Sequence, residues 1–83
     1  MRPAVVCVGA LILDEALFVE RLPGPGEDVP ARPGPTGPGG SATNVARLAA
    51  ALGVPTLLVA RVGEDEVGRR LARGLRAEGL RAA

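Results

Sequence analysis

The sequence predicts an α/β fold organised on a parallel sheet, and three observations predict it. Two short apolar runs rich in valine and leucine, at residues 4–8 and 56–62, have the length and composition of strands buried on both faces. Each is followed by a stretch with apolar residues at helical spacing, over 42–52 and 65–78. Strands that alternate with helices pair in parallel through right-handed crossovers. Two such strands cannot cover both faces and edges of their own sheet, so the chain reads as the opening part of a larger domain.

The first strand is the Val-rich run that ends at Gly9, with Ala10 to Phe18 as its extension. Arg2 ahead of this apolar run invites comparison with a signal peptide. Asp14 and Glu15 break the run too early for a membrane span, and no clean small-residue cleavage pattern follows. Beyond Leu22 the chain becomes PGPGEDVPARPGPTGPGG, and seven of the eight prolines have fallen by Pro38. Proline removes a donor and clashes with the preceding turn, which excludes helix and predicts a loop or poorly regular edge strands. Too few residues precede this stretch to form a domain. It is therefore read as an irregular excursion between Leu22 and Pro38 from a single unit spanning 1–83, in preference to the alternative of a linker between domains.

The helix over 42–52 places Val45, Leu48, Ala49 and Leu52 at i, i+3, i+4 and i+7, one apolar stripe expected to cover the sheet. Gly53 and Pro55 stop it. Residues 56–62 form the second strand, Gly63 turns the chain, and Asp65 is placed to cap a second helix that runs to about Glu78. Val67, Leu71 and Leu75 share its apolar face. Arg69, Arg70, Arg73, Arg76 and Arg81 form a solvated basic face. Gly68 and Gly74 weaken this helix by about 1 kcal/mol each relative to alanine.

Composition narrows the function. All ten cations are arginine, nine carboxylates leave a net charge of +1, and there is no Trp or Tyr. A near-neutral surface without aromatic platforms argues against a nucleic acid as the main partner. Cys7 is the only cysteine and histidine is absent, so no disulfide or Cys/His metal cluster is available within the chain, and a reducing cytoplasm fits.

The stretch TGPGGSATNVARLAAALGV, 36–54, carries the functional signal. A glycine-rich loop entering a helix presents unpaired backbone N–H groups at the positive end of the helix dipole, which favours oxygen-rich ligands. A Walker phosphate loop needs a lysine after its last glycine, and this chain has no lysine. Gly37, Gly39 and Ala42 satisfy the loose dinucleotide pattern, but that pattern needs a buried strand just before it, where ARPGPT stands. The third ligand class is a polyhydroxylated small molecule held by the amides of Gly39 and Gly40 and the side chains of Ser41 and Asn44, since an Asn amide both donates and accepts. Against it stands a purely structural alternative, in which Ser41 or Thr43 caps the helix and the glycines only make the turn. Asp14 favours the ligand: a carboxylate inside ALILDEALF is costly unless it is paired or faces a cleft, and it accepts strong bonds from vicinal hydroxyls.

Together, VVCVGALILD, LPGPGED, GPGGSATNVARLAAALG and VARVGEDEVG resemble the N-terminal part of the ribokinase-like, PfkB-type carbohydrate kinases, from about Val5 to Gly79. The resemblance implies part of a three-layer α/β sandwich with a lid, and an ATP- and Mg2+-dependent transfer of phosphate to a sugar or nucleoside hydroxyl. It assigns Asp14 to the acceptor's hydroxyls and Gly40 and Asn44 to the sugar-binding loop. Ser41 stands where ribokinases proper carry lysine, and Ile12 where they carry a substrate-contacting asparagine, which implies an acceptor other than ribose. The excursion over 16–38 corresponds to the lid, which in the family often pairs subunits. The family's G-A-G-D loop, with its catalytic base and anion hole, and its ATP site have no counterpart in these residues, so no catalytic or metal-ligating residue is assigned. The remaining alternative is a non-catalytic α/β interaction module or an inactive kinase fragment.

Overall fold

The computed structural model describes residues 2–82. In chain order the elements are β1 (Val5–Val8), β2 (Ile12–Val19), β3 (Ala31–Gly39), α1 (Ser41–Ala51), β4 (Thr56–Val59), α2 (Glu66–Ala77) and β5 (Arg81–Ala82). They form two sheets, one parallel with strand order β1-β4-β5 and one antiparallel ribbon of β2 and β3. The expected parallel pairing of the first and second runs is present, with Val5 opposite Thr56 and Val8 opposite Val59. The second run is shorter than expected, because the chain leaves the sheet after Val59. After Gly79 the chain re-enters the sheet as β5, parallel to β4, a strand too short to show in the sequence pattern. Arg81 therefore belongs to this strand and not to the basic helix face.

Both crossovers step the same way across the sheet, β1 to β4 and β4 to β5, so right-handed connections put both helices on one face. Leu58 of β4 is fully buried there, in a cluster with Ala46 of α1, Leu71 and Leu75 of α2, Leu11 and Leu80, while Cys7 packs at its margin. Burying a leucine contributes about 1.5–3 kcal/mol, so Leu58 and Leu75 anchor this small core. Strand alternation turns Val6 and Val8 to the opposite face, where they are 53% and 74% exposed. The described residues thus supply a sheet and one helical layer, with the sheet's other face bare. Leu58 is covered, whereas on the outer side Leu57 and Val59 are half-buried and Val6 and Val8 exposed.

The stripe expected to cover the sheet from α1 does not do so. Val45, Leu48 and Leu52 are exposed, whereas Thr43 and Ala46 are fully buried, with Ala42 and Ala50 packed beside them. Small side chains let the helix sit close to β1 and β4, and the larger ones are left facing away. In α2, Leu71 and Leu75 are buried as expected but Val67 is 41% exposed.

The proline-rich excursion is more regular than its composition suggests. Residues 12–19 are not a continuation of β1 but a strand of the ribbon, paired with β3 from Ile12 opposite Gly39 to Val19 opposite Ala31. Pro33, Pro35 and Pro38 all lie within β3. In a two-stranded ribbon both strands are edges, and every second N–H points away from the partner, so proline is tolerated there as it is not inside a sheet. A register shift between Glu15 and Leu17 absorbs the remaining mismatch. Only 20–30, the ribbon's tip, lacks strand structure; there the Arg21 guanidinium donates to both Glu27 carboxylate oxygens at 2.6 and 2.7 Å, and the Gly24 amide donates to Glu27 at 2.8 Å. The ribbon projects from the core, and the molecule measures 51 × 28 × 20 Å.

Candidate functional site

The end of β1, the start of β2 and the start of α1 meet at one place. Gly9 N–H donates to Val59 O at 3.1 Å, closing the parallel sheet at its C-terminal edge. Ala10 then turns the chain into the ribbon. Gly40, with φ 103°, caps α1 in a conformation that only glycine adopts readily, and a Cβ there would stand 2.5 Å from Ala10 O. No side chain caps this helix, so the capping alternative for Ser41 and Thr43 falls. The Thr43 hydroxyl instead donates across to Ala10 O at 2.7 Å. The helix begins with Asn44 N–H donating to Gly40 O at 2.9 Å, which leaves the amides of its first turn without intrahelical partners.

Asp14 lies on the ribbon's outward face with Ile12, and the residues opposite them on β3 are Gly37 and Gly39. The Asp14 carboxylate occupies the space beside Gly39 Cα that a side chain at 39 would fill. Gly39 itself is buried. The fold therefore brings Asp14 and Gly39 into contact and puts Gly40, Ser41 and Asn44 immediately after them, at the positive end of α1. Asp14, Ser41 and Asn44 are exposed, and none of their side chains is hydrogen-bonded among the described residues. The argument from burial cost does not hold for Asp14, since in this chain the carboxylate is solvated. Beside it, Glu15, Ala16, Pro35, Thr36, Gly37 and Pro38 line an open depression of about 410 Å³.

The second glycine-aspartate motif is structural. Asp65 caps α2, accepting from Gly68 N–H at 2.8 Å, and a side chain at 68 would strike the Gly63 carbonyl. Gly68 is thus required by the turn, which offsets its helix cost. On the exposed face of α2, Arg69 and Arg73 pair with Glu66 at 3.5 and 3.1 Å, which fits a solvated basic face. The dinucleotide alternative is not supported: Gly37 and Gly39 lie within β3, an exposed strand of an antiparallel ribbon, and do not follow the buried parallel strand that motif requires.

Sequence reasoning missed Thr43 as a link between elements and Arg47 as another. Arg47 donates to Glu78 at 2.7 Å and to Pro38 O at 3.4 Å, joining α1 to the end of α2 and the base of the ribbon. A hydroxyl residue in the first turn of an otherwise alanine-rich helix was the available signal for Thr43.

A parallel sheet that turns at its C-terminal edge into an antiparallel ribbon, with a double glycine opening the next helix, defines the ribokinase-like class. The chain belongs to the pfkB family of carbohydrate kinases, whose profile matches residues 2–83. It is 40% identical over 77 residues to a ribokinase from Arabidopsis thaliana, covering 93% of this chain and 20% of that protein. It is also 40% identical over 83 residues to the bifunctional protein HldE from Rhodopseudomonas palustris (strain BisB18), covering 95% of this chain and 17% of that protein. A carbohydrate kinase from Agrobacterium tumefaciens superposes with a TM-score of 0.74 at 25% identity, covering 95% of this chain and 25% of that structure. The chain thus spans about a fifth of the length of the curated relatives it matches. No helix among the described residues is long and apolar enough to cross a membrane.

Proposed function

We propose that this segment forms the acceptor-binding part of an ATP-dependent kinase that phosphorylates a hydroxyl of a sugar or related small molecule. The observation that carries the reading is the solvated Asp14 carboxylate set against Gly39, one residue before the uncapped, positive end of α1. A carboxylate accepts from vicinal hydroxyls, and free amides and the Asn44 side chain supply donors and a further acceptor. Such a site can hold an acceptor hydroxyl for in-line attack on a γ-phosphorus by fixing its orientation. ATP, the catalytic base and the phosphoryl-stabilising groups belong to the remainder of the complete kinase. Magnesium finds no group of three carboxylate, Cys or His ligands among the described residues, so no step here runs through the ion.

Ile12 shares the ribbon face with Asp14 and cannot hydrogen-bond, and Ser41 lacks a cationic donor. Both support an acceptor other than ribose. The ribbon, with Leu17, Phe18 and Leu22 exposed, is the lid and the surface through which subunits would pair.

The test is a screen of the complete protein against pentoses, hexoses, their monophosphates and nucleosides, followed by Asp14→Ala and Asn44→Ala. Losing a hydrogen bond to a charged group costs about 1.5–3 kcal/mol, so Asp14→Ala should lower kcat/KM for the acceptor by roughly tenfold to 150-fold. Asn44→Ala should lower it less, and the KM for ATP should change little. Unaltered acceptor kinetics in both variants would refute the site.

A further inference from the structure

The acceptor site proposed above is split between Asp14 on β2 and the helix start from Gly40 to Asn44, which lies beyond the β2–β3 ladder, whose last pair is Ile12 and Gly39. Something must hold them at one spacing. Ala10 is four residues before Asp14, and its carbonyl is the point on the β1–β2 connection nearest the helix start, since it crowds the Gly40 Cα and accepts the Thr43 hydroxyl at 2.7 Å. Gly9 comes equally close, because a Cβ there would stand 2.9 Å from Ala42 Cβ.

Thr43 itself is fully buried. A β-branched hydroxyl residue is less favourable in a helix than alanine, and in the first turn its oxygen would ordinarily serve the helix's own backbone. Here it caps nothing, and its one hydrogen bond is to another element. The neighbouring positions that pack against the sheet, Ala42 and Ala46, show that a small apolar residue suffices for close approach.

We infer that Thr43 is a positioning residue for the acceptor site: its buried Thr43 Oγ1–Ala10 O hydrogen bond sets the spacing between the Asp14 strand and the Gly40–Asn44 helix start. The inference rests on the sugar-site reading. Loss of the hydroxyl lets the ribbon base move against α1, so an acceptor that must reach Asp14 and Asn44 together binds less well, while the nucleotide does not report the change.

The experiment compares Thr43→Ala with Thr43→Ser in the complete kinase, using the best acceptor from the screen. Both variants lose the γ-methyl and differ only in the hydroxyl, so shared packing damage cancels. The expected result is an acceptor KM raised about tenfold in Thr43→Ala and restored to within twofold of the parent in Thr43→Ser, with KM for ATP within twofold throughout. Equal acceptor KM values in the two variants, or a parallel rise in KM for ATP, overturn the inference. Should Thr43→Ala be too unstable to assay, Thr43→Val, which keeps the buried volume and lacks only the hydroxyl, is compared with the parent instead, and an acceptor KM equal to the parent's overturns the inference. Asp14→Ala run alongside separates the two claims: if it raises acceptor KM and Thr43→Ala does not, only the positioning role fails. If neither has an effect, or if no compound in the panel is phosphorylated, the site reading fails and the positioning role falls with it.

Discussion

The carboxylate of Asp14 lies against Gly39, its diagonal neighbour across the ribbon, in the volume that any side chain at position 39 would need. The pair couples two motifs that lie far apart in the sequence. Gly39→Ala in the complete protein is expected to displace the carboxylate and reproduce most of the Asp14→Ala defect in acceptor kinetics. The double variant should be little worse than either single one, because contacting residues do not add. Additive losses measured by steady-state kinetics would show that the two act independently.

Asp65 separates a structural role from a binding role. Removing a helix cap costs about 1 kcal/mol. Asp65→Ala should therefore lower the unfolding free energy by about that amount, read from denaturant unfolding, while leaving acceptor KM within twofold of the parent. A large KM change without loss of stability would make Asp65 a substrate contact.

The chain by itself should not transfer phosphate, since none of its described residues supplies a positioned base or a second anion hole, and general-base catalysis alone is worth about 10² to 10⁴-fold. Its bare apolar surfaces should make it associate. Sedimentation of the isolated chain is expected to show self-association that Leu48→Glu diminishes, because Leu48 is 62% exposed on α1. A sharp, monomeric unfolding transition in circular dichroism would contradict this.

At the ribbon tip the Arg21 guanidinium, with the Gly24 amide, holds the Glu27 carboxyl below its ordinary value of 4.5. A lowered folded value means that the pairing favours the folded tip above the ordinary carboxylate range and that this contribution fades as pH falls through the lowered value. Both side chains are exposed to solvent, so salt should weaken the effect. A Glu27 side-chain NMR titration should place its midpoint under 4.5, and Arg21→Ala should return it toward that value.

How much of this was legible follows from particular residues. Gly53, Pro55, Asp65 and Gly79 mark helix ends by local backbone chemistry, and both helices end within a residue or two of where those signals stand. The apolar stripe of Val45, Leu48 and Leu52 shows that a helix face avoids water but not which neighbour covers it, and the sheet takes the alanine face instead. Pro33 and Pro35 argued against regular strands by a rule for sheet interiors, which a ribbon made only of edges escapes. Asp14 stood out in the sequence as a candidate through its motif, whereas its contact with Gly39 depends on ribbon register, which a shift after Glu15 makes unreadable from spacing alone.

The ribbon's projection from the core makes it a lever with its fulcrum beside the site. Ile12 and Gly39 stand at the fixed end, where Arg47 holds the adjacent Pro38 carbonyl. At about 3.4 Å per residue Asp14 is roughly 7 Å from that end and Val19 roughly 24 Å. A rotation of about 10° at the base would carry the tip about 4 Å and Asp14 only about 1 Å. Large excursions of Phe18 and its neighbours are therefore compatible with a nearly stationary Asp14 carboxylate.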